Sequence, residues 1–198
     1  MARRADPVPA RLAADGYAVE DGFLSAARVA ELKGCAERRR ARGEPAAGRV
    51  GGPQDAERRP DIRGDCIAWL CEPLFAAERL LVDDLERLRL DINRLGMLGL
   101  FELEMHYAWY PPGTGYARHV DRPRGREQRE VSLIVYLNDS WQPADGGELR
   151  LHGLRDAPLD VAPIGGRLVC FRSAAREHEV LVTQAPRLSL CGWFRRRE

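Results

Sequence analysis

The chain has 198 residues and a formal charge of +1, with 44% hydrophobic and 31% charged residues. That length suits one domain with a full core, and so small a net charge excludes a strong general pull toward nucleic acid or anionic membrane. No apolar run approaches the ~20 residues that span a bilayer, and the basic opening MARRADPVPARLAADGY lacks the apolar segment of a secretory signal.

In chain order, LSAARVAELKGCAERRRARG predicts a helix, with Ser25 as N-cap, Gly43 as stop, and Val29, Leu32 and Cys35 on its apolar face. GEPAAGRVGGPQDAERRPDIRGD is rich in Gly, Pro and charge and predicts a long mobile loop, centred on about residues 44–60. Loops of that length in compact domains often act as lids or binding elements. From about Pro73, apolar residues at Leu81, Leu85, Leu88, Ile92 and Leu95 predict a long amphipathic helix. The second half changes character. LFELEMHYAWY, REVSLIVYLN, GELRLHG, GRLVCFR, EHEVLVT and RLSLCGWFRR are short strand candidates, separated by turn residues such as Asn138-Asp139, Gly146-Gly147 and Gly165-Gly166. The expectation is one domain over 1–198, with helical support over 1–100 and a β-rich catalytic core over 101–198. Its architecture would be a double-stranded sheet or barrel backed by helices. Five scattered cysteines form no CxxC pair and no disulfide framework, which favours a reducing cytoplasm.

Chemistry concentrates in YPPGTGYARHVDRPRG, residues 110–125. His119 and Asp121 stand two apart, and on a strand such residues share a face. His178 follows 57 residues after Asp121, and Arg187 nine residues after His178. Alone, His-x-Asp is equally a polar pair on a solvated strand. With a distal histidine and an arginine in the same β-rich half, it matches the two-His, one-carboxylate set of non-haem Fe(II) oxygenases, which leaves the opposite side of the metal open. Arg187 can clamp a dicarboxylate through its planar fork, and Tyr136 can donate to the same carboxylate. His106 and His152 lack a matching acid and read as strand residues, His106 near the core and His152 at a strand end. The cysteines fit no zinc pattern. RRRARG and FRRRE read as a solvated helix end and a chain terminus rather than a phosphate track.

At these residues the sequence resembles the prolyl 4-hydroxylase-type 2-oxoglutarate/Fe(II) dioxygenases. It is most similar to the branch that hydroxylates hypoxia-inducible factor and its bacterial relatives. YPPGTGYARHVDRPRG, VSLIVYLNDSW, GGELRLH, REHEVLVTQAPRLSLCGWF and DIRGDCIAWL carry the resemblance, over about residues 60–195. It implies a mainly β, double-stranded β-helix (jelly-roll) core with N-terminal helices on one side. It also implies Fe(II) on His119, Asp121 and His178, and the distal carboxylate of 2-oxoglutarate on Arg187 and Tyr136. Tyr110 would lie beside the metal-chelating end of the cosubstrate. Tyr116 would line the substrate side, Trp193 the pocket wall, and Arg129 would fall near a substrate-contacting arginine. O2 would be the second cosubstrate, with ascorbate as an auxiliary reductant, and the 44–60 loop would close over a peptide. The approach to His-x-Asp is one residue shorter than the animal pattern, the turn after Asp121 one longer, and Cys191 replaces a hydroxyl residue.

The implied reaction is 4-hydroxylation of a prolyl residue in a protein, with bacterial elongation factor Tu as the expected partner and neither nucleic acid nor membrane involved. Two alternatives share the triad. One is a hydroxylase of a free amino acid or small peptide, which a long polar loop disfavours. The other is a non-catalytic iron or oxygen-sensing jelly-roll, which would not need the Arg187 and Tyr136 clamp.

Overall fold

The structure, a computed structural model, describes residues 7–51, 56–122, 128–153 and 157–197. Three helices, α1 (Val8–Asp15), α2 (Ala26–Ala41) and α3 (Ala76–Gly96), accompany eleven strands. The strands are β1 (Tyr17–Glu20), β2 (Ala46–Ala47), β3 (Cys66–Trp69), β4 (Leu100–Tyr110), β5 (Tyr116–His119), β6 (Arg129–Tyr136), β7 (Leu149–Leu151), β8 (Leu159–Val161), β9 (Leu168–Arg172), β10 (His178–Val180) and β11 (Arg187–Arg196). They form a seven-stranded sheet in the order β1-β9-β6-β11-β4-β3-β2 and a four-stranded sheet in the order β5-β10-β7-β8. Every pairing is antiparallel. This is the expected two-sheet jelly-roll with helices on one side.

Period-two alternation assigns the two faces of the large sheet. Met105, Tyr107, Val131, Leu133, Val135, Leu168, Cys170, Leu190 and Phe194 turn outward onto Leu32, Leu81, Leu85 and Ile92 of the helices. The intervening residues turn inward: Ile134, Tyr136, Val169 and Phe171 meet Leu149, Leu151 and Val161 of the small sheet. Arg187, Ser189, Cys191 and Trp193 lie on that same inward face. The helix α2 starts and stops where its sequence predicts, whereas α1 was not predicted. Ser25 Oγ accepts from Arg28 N–H at 3.4 Å, and Gly43 takes φ +72° just past α2. In α3, Leu81, Leu85 and Ile92 are buried, whereas Leu95 is 61% exposed and does not belong to the buried stripe. It sits in the last turn of the helix.

Three expectations are corrected. The first hundred residues contain three strands besides the helices, β1 at one edge of the large sheet and β3 and β2 at the other. The 44–60 segment is not structureless: Ala46 and Ala47 pair with Ile67 and Cys66, and Val50 bridges Glu57. Alanine and glycine signal no strand, and the pairing is imposed by the open edge of β3. Residues 52–55 of that segment, and the turn at 123–127, lie outside the described residues. Finally, β5 ends at His119, so Asp121 stands in a bend beyond the strand.

Candidate active site

The chain enters the site through YPPGTGY. Gly113 takes φ +81°, and a Cβ on Gly115 would stand 2.5 Å from the Val180 carbonyl. Glycine at both places lets β5 lie close against β10, in a register that sets His119 directly opposite His178. Their rings lie 4.2 Å apart. His119, Asp121 and His178 bring three ligand atoms within 4.8 Å of one another, the one such cluster among the described residues. His119 Nε2 is 3.5 Å from Asp121 Oδ1, and His178 Nε2 is 3.4 Å from Asp121 Oδ2. Each histidine turns Nδ1 to the backbone carbonyl two residues earlier, Ala117 at 2.8 Å and Arg176 at 3.2 Å. That contact orients the ring and leaves Nε2 for the cluster, as metal-ligating histidines require.

Electrostatics favour cation binding. Burial pushes His178 down to about 4, against the pull of Asp121, so its imidazole is neutral near pH 7. Burial raises the Asp121 carboxyl, but His178, His119 and the Ser132 hydroxyl overturn that and hold it well below the usual carboxylate range. The cluster therefore offers a neutral nitrogen from His178, the ring of His119 and one anion.

The cluster opens on a cavity of about 540 Å³, lined also by Tyr110, Tyr116, Arg129, Ser132, Arg187 and Trp193. Arg187 is 2% exposed. Its Nε donates to the Gly147 carbonyl at 2.9 Å and its Nη1 to Ser189 Oγ at 3.3 Å. Among the described residues no carboxylate pairs with it. Its guanidinium carbon lies 5.0 Å from the Tyr110 ring, its register partner on β4, and 5.2 Å from the Tyr136 ring. Tyr136 is fully buried beside it rather than on the cavity surface, and its hydroxyl has no partner. Burial raises that hydroxyl to about 12, so it is a donor at neutral pH. A buried guanidinium without an acid beside an orphaned phenol is the complement of a carboxylate.

Other aromatics line the same cavity, Tyr116 from β5 and Trp193 from β11. Tyr116 stacks on His119 with centroids 3.7 Å apart, and Trp193 carries the Arg129 guanidinium 3.3 Å over its ring. Arg129 also pairs with Glu104 at 2.7 Å. His106 is 2% exposed and wedged between Trp69 and Trp193, at 4.8 and 5.5 Å. Burial, with Arg63 and Arg129 nearby, pushes it down to about 3. It lines the cavity but is no part of the ligand cluster, and its Nδ1 and the indole Nε1 of Trp193 are unpartnered. His152 follows the last residue of β7 and meets Glu179 at 2.9 Å. All five cysteines are free.

Sequence reasoning gave no place in the site to Arg63, Asp65 or Ser132, and it read His106 only as a strand residue near the core. Arg63 grips Asp65 through Nε and Nη2, at 2.6 and 2.9 Å, and donates from Nη1 to the Arg49 carbonyl at 3.1 Å, tying the 44–60 segment to the cavity rim. His106 sits four residues before Tyr110, an even spacing that puts both on one strand face. Ser132, the lone serine in the strand REVSLIVY, donates to Asp121 Oδ2 at 2.7 Å.

Comparison with known proteins agrees with this geometry. Residues 105–195 match the family model described as the 2OG-Fe(II) oxygenase superfamily. The chain is 36% identical to human Egl nine homolog 1 over 151 residues, 71% of this chain and 35% of that one. It is 35% identical to human prolyl hydroxylase EGLN3 over 165 residues, 74% of this chain and 64% of that one. It thus spans about a third to two thirds of these relatives. A crystal structure of a Pseudomonas putida prolyl-4-hydroxylase is similar at 42% identity and a TM-score of 0.84, covering 96% of this chain and 98% of that one. A Trichoplax adhaerens prolyl hydroxylase in complex with a hypoxia inducible factor peptide is similar at 28% identity and a TM-score of 0.85, covering 95% and 87%.

Proposed function

The chain belongs to the 2-oxoglutarate/Fe(II) oxygenase superfamily, among its prolyl hydroxylases, and we propose that it converts a prolyl residue of a protein substrate to 4-hydroxyproline. One observation carries this reading: a His-Asp-His cluster and a buried arginine without an acid partner share one cavity. The donor set fits Fe(II), since two imidazoles and one carboxylate hold it while leaving positions open. His119, Asp121 and His178 would hold the metal. Bound there, Fe(II) supplies the activation of O2 and couples oxidative decarboxylation of 2-oxoglutarate to hydroxylation of a C–H bond.

The chain's own groups bind and orient. Arg187 takes the distal carboxylate of 2-oxoglutarate through its uncommitted N–H donors, and Tyr136 adds its hydroxyl proton. Tyr110 closes the same pocket beside Arg187 and excludes water from it. The Tyr116, Trp193 and Arg129 side receives the substrate, and the 44–60 segment, held to the rim by Arg63, flanks its entry. We assign the substrate to bacterial elongation factor Tu, in a proline-containing switch region, and the protein to the cytoplasm. The first assignment is supported by the YPPGTGYARHVD and DIRGD likeness to the bacterial members of the branch, the second by five free thiols.

Mass spectrometry tests the reading. The protein is incubated with Fe(II), 2-oxoglutarate, air and the elongation factor Tu peptide, beside His119→Ala. Gain of one oxygen on proline, absent in the variant, is expected. Succinate without peptide oxidation would remove the substrate and keep the oxygenase; no succinate would remove both.

A further inference from the structure

Asp121 poses a problem of anchorage. It lies two residues beyond the end of β5, so the ladder that sets His119 opposite His178 stops short of it. Its hold comes from the other sheet. Ser132 Oγ is 2.7 Å from Asp121 Oδ2, and Ser173 Oγ is 2.9 Å from Ser132 Oγ. Both serines are buried, at 1% and 0% exposure. Ser132 faces inward from β6, and Ser173 follows the last residue of β9, with its N–H on the Glu130 carbonyl at 3.1 Å.

The direction of each hydrogen bond follows by elimination. Ser132 Oγ donates to Asp121 Oδ2, so its single hydroxyl proton is committed there. Ser132 can then only accept from Ser173, and Ser173 must donate. The chain therefore runs one way, from Ser173 to Ser132 to Asp121 Oδ2, and leaves Oδ1, on the His119 side, without a hydroxyl donor.

We propose that Ser173 and Ser132 are positioning residues, a one-way hydroxyl chain reaching across from the large sheet that fixes the Asp121 carboxylate, occupies Oδ2 and assigns Oδ1 to the metal. The proposal rests on the metal-site reading above. Neither serine touches the metal, so both act through Asp121. Hydrogen-bond partners of metal ligands set metal affinity by ~10–100-fold.

Anaerobic titration of the metal-free protein with Mn(II), followed by electron paramagnetic resonance, tests this without turnover. Ser132→Ala is expected to weaken Mn(II) binding by ~10–100-fold. Ser173→Ala, one bond further out, should weaken it less. The double variant should be no weaker than Ser132→Ala, because coupled residues are not additive. Ser132→Thr keeps the hydroxyl and should restore most of the affinity, which separates positioning from folding should Ser132→Ala fold poorly. Wild-type affinity in Ser173→Ala, or a double variant weakened by the product of the single losses, would overturn the chain while leaving the metal site standing. Failure of the wild type to bind Mn(II) would overturn the metal-site reading and the chain with it.

Discussion

The two faces of the seven-stranded sheet are made of alternate residues on the same strands, yet they are different materials. Toward the helices the sheet is apolar, and the buried charge of the helix layer above it is answered in place. Arg39 Nε and Nη2 bind Glu78 at 2.7 and 2.8 Å, and Tyr107 Oη donates to the Leu32 carbonyl at 3.3 Å. On that side the indole Nε1 of Trp109, Arg11 Nε and Arg28 Nη2 have no partner. Toward the small sheet the pattern inverts: Arg187 lacks an acid, and the Tyr136 hydroxyl, the His106 Nδ1 and the Trp193 Nε1 are unpartnered. Buried polar groups are normally satisfied, and each that is not costs about 1–3 kcal/mol. The helix face stabilises the fold, and the inner face holds polar groups open for what it binds.

The sharpest separation is expected from His119→Ala. Succinate formation should fall by more than the ~100-fold that loss of a supporting contact produces, while the melting temperature stays near that of the wild type. A melting shift as large as those of the helix-face variants would blur the two faces. Glu78→Ala should do the reverse, leaving Arg39 buried and alone at a cost of about 3–5 kcal/mol, with the KM for 2-oxoglutarate unchanged in the folded fraction.

The same pair sets an acid limit. Burial raises the Glu78 carboxyl, but the Arg39 guanidinium and the Phe75 N–H lower it by more, for a net fall below its ordinary value. A depressed carboxylate stabilises the fold above its unfolded pKa of about 4.3, and that contribution is lost as pH falls through the folded value. Urea midpoints measured from pH 6 down to pH 3 should drop more steeply in the wild type than in Glu78→Gln.

Leu85→Ala opens a cavity between α3 and the sheet and should cost about 2–5 kcal/mol, read by chemical denaturation, without altering cosubstrate affinity. Arg187→Lys keeps the charge but loses the fork. It should weaken 2-oxoglutarate binding by about 1.5–3 kcal/mol, roughly tenfold to a hundredfold, in calorimetry with Mn(II) in place of Fe(II). The smallest effect is expected from His106→Leu. An apolar side chain in place of a buried, unpaired imidazole should leave stability equal or raise it by about 1 kcal/mol. Loss of stability there would show His106 to be part of the structural frame.

Both helices with strong periodicity were legible, because Val29, Leu32, Leu81 and Leu85 recur at helical spacing and Ser25 and Gly43 punctuate the first of them. The six strand candidates of the second half were legible from alternation and turn residues. β1, β2 and β3 were not: Ala46 and Ala47 have no strand preference of their own, and Cys66–Trp69 is too short to show a period. Their partners lie far along the chain, and the open edge of the sheet makes them strands.

The site divides in the same way. Local spacing and residue chemistry determined the candidates His119, Asp121, His178, Arg187 and Tyr136, because a metal set and a carboxylate clamp need those side-chain types whatever surrounds them. Only the tertiary structure decided that β5 and β10 stand in register, that Tyr136 lies buried beside Arg187 rather than on the cavity surface, and that His106 joins the cavity wall. It alone showed that Asp121, past its own strand, is held by Ser132 and Ser173 from the opposite sheet. The physical reason is range. Ligand chemistry is written in the side chain and its near neighbours, whereas burial, pairing and partnership depend on strands that meet only when the two sheets close.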